Sequence, residues 1–153
     1  MAAPNEIATD ILLKELSESY ASTRHIEQQR ATMSNFLMII AAALFAYIAD
    51  QKFSLETIPI SVFVAVLGLF GVFMSIKYGQ RFHRHYAKVA FLRERLAEIS
   101  PESRVLEIEK LARDRNKARY PFFGQRISVV HLWIMIHSVI FFIGIGSIIL
   151  AFQ

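Results

Sequence analysis

Residues 58–76 read IPISVFVAVLGLFGVFMSI, a run without Asp, Glu, Lys or Arg. As an α-helix at ~1.5 Å per residue it is ~29 Å long, the thickness of a bilayer's hydrocarbon core. Residues 33–49 and 127–152 are equally free of charge. A backbone in lipid must satisfy its own hydrogen bonds, so each run is expected as a transmembrane helix. The fold class expected is all-α: three spans at 33–49, 58–76 and 127–152, in one membrane domain covering 1–153.

Composition supports that reading: 54% of the 153 residues are hydrophobic, yet 20% are charged. The charge is unevenly placed. Region 77–126 carries thirteen Lys and Arg against six acids, whereas loop 50–57 carries only Lys52. By the positive-inside rule the basic region is cytoplasmic, which puts the N-terminus inside and Gln153 outside. Orientation and contact with anionic lipid account for these cations more economically than nucleic acid does. The chain has no cysteine, hence no disulfide framework and no thiolate chemistry. A largely polar segment of thirty-two residues precedes the first apolar run, so no cleaved signal peptide is read.

The polar regions carry helical periodicity. In 1–32, Ile11, Leu12, Leu16, Tyr20, Thr23 and Ile26 recur at three- and four-residue spacing, as an amphipathic helix requires. Nothing breaks the pattern from Asp10 to Ala49, so arm and first span are expected as one helix. Residues 53–59 are expected as an exterior turn, with Pro59 in the first turn of the next helix. The second span continues as a stripe of Tyr78, Phe82, Tyr86, Val89, Leu92, Leu96 and Ile99, with Arg93, Glu94 and Arg95 turned away. Ser100-Pro101-Glu102 then reads as a stop followed by a new helix capped by Ser100. That helix, 101–119, is expected to bury Val105, Ile108, Leu111 and Ala112. Together 77–119 form a cytoplasmic helical hairpin that makes a stalk with the N-terminal arm. Tyr120-Pro121-Phe122-Phe123-Gly124 reads as an interfacial break before the third span.

Each span carries small or polar residues at helical spacing: Asn35, Ala42, Ala46 and Ala49; Ser61, Ala65, Gly68 and Ser75; His137, Gly144, Ser147 and Ala151. Small residues let helices approach closely in lipid, where no hydrophobic force drives association. These seams serve either packing within one chain or contact with a symmetry mate or a narrow pore. His137 lies ~15 Å into the third span, where an ionisable group is a functional candidate; a neutral, hydrogen-bonded imidazole is the plainer reading. His131 projects ~120° away from it, so the two do not chelate one ion. His83 and His85 have no acid within eight positions. The Gly144-Ile145-Gly146 run lies inside an apolar segment, away from any nucleotide loop. No phosphate loop, nucleophile elbow or HExxH motif occurs, and no enzyme activity, cofactor or metal is expected. Arg113, Arg115, Lys117 and Arg119 are the candidates for contact with a partner or with lipid.

Residues 30–37, RATMSNFL, lead into the first span, and the second continues as YGQRFHRHYAK from Tyr78 to Lys88. Over about residues 10 to 100 this layout resembles the small bacterial SLATT-like membrane proteins, which have two spans and a cytosolic helical extension. The resemblance implies a homo-oligomeric, pore-forming or membrane-perturbing effector of phage defence in the bacterial inner membrane, triggered by a separate sensor. The third span departs from that pattern. The alternative is a non-conducting membrane anchor that docks a cytosolic partner on its stalk.

Overall fold

The computed structural model describes residues 4–120 and 128–153. Among these all regular structure is helical: α1 (Pro4–Asp50), α2 (Ile58–Ile99), α3 (Val105–Arg119) and α4 (Val129–Leu150), with 3-10 turns at Leu55–Thr57 and Pro101–Ser103. Helices α1, α2 and α4 are each long and apolar enough to cross a membrane. Arm and first apolar run form one unbroken helix, as their shared periodicity implies, and α2 runs unbroken for 42 residues.

Helix α1 ends without glycine. Lys52 and Phe53 both adopt left-handed backbone at φ 54°, which costs a non-glycine residue ~1–2 kcal/mol. Two cap bonds offset that cost: Phe53 N–H donates to the Ile48 carbonyl at 3.1 Å, and Lys52 N–H to Ala49 at 3.0 Å. The Phe45 and Phe53 rings, 6.3 Å apart, close the turn from outside.

The chain divides into two compact units. The first comprises α1 up to Glu27, α2 from Gln80, and α3. Among the described residues its buried ones are Ser19, Ile26, Val89 and Leu96. The inward stripe of the arm therefore runs through Leu12, Leu16, Ser19, Thr23 and Ile26, while Ile11 and Tyr20 of the expected stripe lie exposed. Tyr86 is likewise exposed on α2. Arg93, expected to turn away, instead reaches two elements: it bonds the Tyr20 hydroxyl with its guanidinium over that ring, and pairs with Glu109 of α3 at 2.8 Å. An arginine has the length to lie along apolar surface while its charge finds a partner. Lys88 and Glu15 pair at 2.6 Å.

The corner at Ser100 also differs from expectation. Ser100 stands at the N-cap of the 3-10 turn, with Pro101 and Glu102 in its first turn as expected, but its hydroxyl makes no cap bond: it bonds the Glu102 carboxylate at 2.6 Å and holds that carboxyl below its ordinary pKa. Helix α3 starts four residues after Pro101, following Arg104 in left-handed backbone at φ 50°. It is mostly exposed: Val105 is half-buried, but Ile108, Leu111 and Ala112, expected inward, are exposed. Apart from Tyr120, the expected interfacial break at 120–124 lies outside the described residues.

The second unit comprises α1 from Gln28, α2 up to Gly79, and α4. Its α1 face reads Arg30, Ser34, Leu37, Ala41 and Ile48, all buried. That spacing of three, four and seven is the packed stripe of a long helix. Large apolar side chains cover the outside of this unit, among them Phe36, Ile39, Phe63, Phe73, Met135 and Phe142. Such a surface fits lipid rather than water.

Candidate functional site

The densest arrangement of unusual residues is the seam between α2 and α4. A Cβ built on Gly68 would strike the Phe141 backbone, and one on Gly144 would meet the Ala65 backbone and side chain. A Cβ on Gly71 would enter the His137 ring, and one on Gly79 would press on Val130 at 3.0 Å. As α2 advances from 65 to 79, its neighbour on α4 falls from 144 to 130. The helices are thus antiparallel and in close contact over ~21 Å. Only residues without bulk permit such approach, which is why glycine recurs at those positions.

Hydroxyls in this seam serve their own helices. Ser61 donates to Thr57 at 3.1 Å, Ser75 to Gly71 at 2.8 Å and Ser147 to Ile143 at 2.8 Å, each to the carbonyl four residues back. This back-bonding satisfies a buried hydroxyl without a neighbour. The seam is therefore held by packing.

His137 is the exception. Only 1% exposed, its imidazole lies against Gly71 and near Trp133, whose ring is 6.5 Å away. Its Nε2 hydrogen-bonds Ser34 Oγ on α1 at 3.1 Å. Among the described residues its Nδ1 has no hydrogen-bond partner. One side chain thus ties α4 to α1 while resting on α2.

The expected seam residues divide by helix. Ser61, Ala65, Gly68 and Ser75 are buried on α2, and His137, Gly144 and Ser147 on α4, with Ala151 buried just past its end. Asn35, Ala42, Ala46 and Ala49 are all exposed. Ser34 and Gly71, which shape the imidazole's position, were absent from the expected set. Their signal was positional: Ser34 falls in the 30-34-37-41-48 series, and Gly71 stands midway between Gly68 and Ser75.

Beside the seam, Met38, Ala41, Ala42 and Phe45 of α1 and Met135, Val139 and Ile143 of α4 line an open apolar groove of about 370 Å³, with Val64 also in its lining. On α3, Arg113 pairs with Glu109 at 3.0 Å. Arg115, Lys117 and Arg119 are exposed, with Arg119 over the Tyr120 ring at 5.9 Å. Among the described residues no three His, Asp or Glu side chains gather to hold a metal.

No family model, curated protein or solved structure matches this chain.

Proposed function

We propose that the chain is a multi-pass protein of the bacterial inner membrane, N-terminus in the cytoplasm, working as a homo-oligomeric effector that perturbs or permeabilises the bilayer. A separate sensor acts on its cytoplasmic helices. The observation that carries this reading is the continuity of α1 and α2: each joins a polar half to an apolar half with no break in the helix. A partner engaging the polar half biases the apolar half by its difference in affinity for the two states. The charge-free spans, the thirteen cations of 77–126 and the SLATT-like layout support the same assignment.

The small residues of α2 and α4 face each other within one chain. Contact between copies, or a pore lining, therefore falls to the exposed α1 face of Asn35, Ala42 and Ala46. The exposed Arg115, Lys117 and Arg119 are the contacts proposed for the sensor or for anionic lipid.

The test is expression in bacteria with a membrane-potential dye, with and without the products of the neighbouring genes. Triggered depolarisation is expected, weakened when Arg115, Lys117 and Arg119 are reversed to Glu. If the triggered wild type leaves the potential intact, the chain is a membrane anchor that docks a cytosolic partner. The exposed apolar and basic surface of α3 favours that second reading.

A further inference from the structure

One stripe on the exposed side of α2 changes its chemistry once along its length. Phe63, Val66, Phe70 and Phe73 stand exposed in the charge-free half of the helix. Lys77, Arg81, Arg84 and Lys88 stand exposed beyond it. The spacing of three or four residues holds from Phe63 to Lys88, so at ~3.6 residues per turn all eight fall within an arc of ~80°. The buried positions Val64, Gly71 and Ser75 lie on the opposite side of the same helix.

No Asp or Glu occurs from 57 to 93. Among the described residues Lys77, Arg81 and Arg84 have no acidic partner, whereas Lys88 pairs with Glu15 at 2.6 Å. Distance along the helix separates the same two groups. The polar layer on each side of a bilayer's hydrocarbon core is ~5–8 Å thick. Measured from Ile76, the last residue of the charge-free run, the backbone of Lys77, Arg81 and Arg84 lies at ~1.5, ~7.5 and ~12 Å, and that of Lys88 at ~18 Å. The Cα–Cβ bonds of a helix tilt toward its N-terminus, here the apolar end, so Arg81 and Arg84 start back toward the core. Their long side chains extend that reach. Lys88 lies beyond the layer, and its charge is met within the protein.

We propose that Lys77, Arg81 and Arg84 bind the phosphate headgroup of an anionic phospholipid whose acyl chain lies along Phe73, Phe70 and Val66. The stripe matches that ligand in charge at one end and in apolar character at the other. Arginine suits the headgroup because its guanidinium donates two parallel hydrogen bonds to a phosphate. A nucleic acid would engage the cations alone and leave the apolar half of the stripe unused. The inference rests on the membrane reading of α2 and not on the effector activity.

The test places the full chain in nanodiscs holding equal amounts of phosphatidylglycerol and phosphatidylcholine with identical acyl chains. Lipids that stay bound after transfer to detergent are counted by native mass spectrometry. The wild type is expected to retain phosphatidylglycerol in preference. Arg81→Gln and Arg84→Gln should each lower that preference about fivefold, the worth of one cation near an anionic surface. The triple variant with Lys77→Gln should abolish it. Lys88→Gln removes the same charge one turn farther on and should leave the preference unchanged. Equal retention of the two lipids by the wild type, or a preference that survives the triple variant, overturns the site. So does a loss with Lys88→Gln as large as that with Arg84→Gln.

The single variants keep most of the basic region, so each should enter the membrane fraction and show the helical circular dichroism of the wild type. A labelled single-stranded oligonucleotide is the competing probe. Oligonucleotide binding that falls with Arg81→Gln and Arg84→Gln, while phosphatidylglycerol retention does not, assigns the stripe to nucleic acid and refutes the lipid site. Recovery of the wild type in the soluble fraction without detergent refutes the membrane reading and the site with it. Preferential retention by a chain that never depolarises cells refutes the effector reading and leaves the site. Triggered depolarisation by a chain without lipid preference does the reverse.

Discussion

The imidazole of His137 occupies the space that a side chain at position 71 would need: its Cε1 lies 2.8 Å from where a Gly71 β-carbon would stand, and two more ring atoms lie nearer still. Gly71→Ala therefore pushes α2 from α4 or evicts the ring. A loss of ~1–3 kcal/mol is expected, the usual cost of overpacking a filled interior, read as a lower unfolding midpoint in detergent or nanodiscs. Gly146→Ala is the matched control, because a Cβ there has nothing within 4 Å. It should leave the midpoint unchanged or raise it slightly, since alanine is the better helix former.

Ser34 and His137 make a second test. Ser34→Ala strips the buried imidazole of its hydrogen bond and should cost ~0.6–1.7 kcal/mol, the range for such bonds between membrane helices. His137→Leu also removes the bond, so the double variant should lose less than the sum of the two single losses. Strict additivity would show that the 3.1 Å contact contributes nothing.

Orientation is checked by thiol labelling. With Ser54→Cys in the α1–α2 connection and Ser103→Cys in the α2–α3 connection, an impermeant reagent on intact cells should label the first alone. Labelling at 103 but not at 54 would invert the topology.

The Glu15–Lys88 pair gives a pH prediction. Its hydrogen bond and charge hold the Glu15 carboxyl below the ordinary value. A carboxyl depressed in the folded state contributes stability above its unfolded pKa, about 4.3, and loses it as pH falls through the folded value. Lys88→Met should therefore lower stability slightly at pH 7, and the difference should vanish in acid. High salt should erase it too, since both groups are exposed.

The parts of the fold legible in the sequence were those set by period and charge. An unbroken three- and four-residue rhythm joined the arm to the first apolar run, and the absence of charge set off 33–49, 58–76 and 127–152. Rotational detail was less accessible. Choosing the smallest residues of the first span selected Asn35, Ala42 and Ala46, whereas packing follows the mixed series through Ser34, Leu37 and Ala41. Arg93 read as solvent-facing because its charge says so, but its partners Tyr20 and Glu109 are 73 and 16 positions away. Ser100 fits a helix cap by type, yet the neighbouring Glu102 carboxylate competes for its hydroxyl. His137 was visible as an anomaly in an apolar run; its resting place on Gly71 needed the antiparallel register, which no local pattern specifies.

The serine hydroxyls bear finally on biogenesis. Each of Ser61, Ser75 and Ser147 finds its acceptor one turn back in its own helix, so their hydroxyls bring no unmet polar group into the bilayer during synthesis. The imidazole of α4 does, and its hydrogen-bonding partner, Ser34, lies 103 positions earlier in the chain. A ribosome delivers α1 first and α4 last. The helix that enters lipid needing a partner thus arrives where that partner already waits, and order of translation becomes order of assembly.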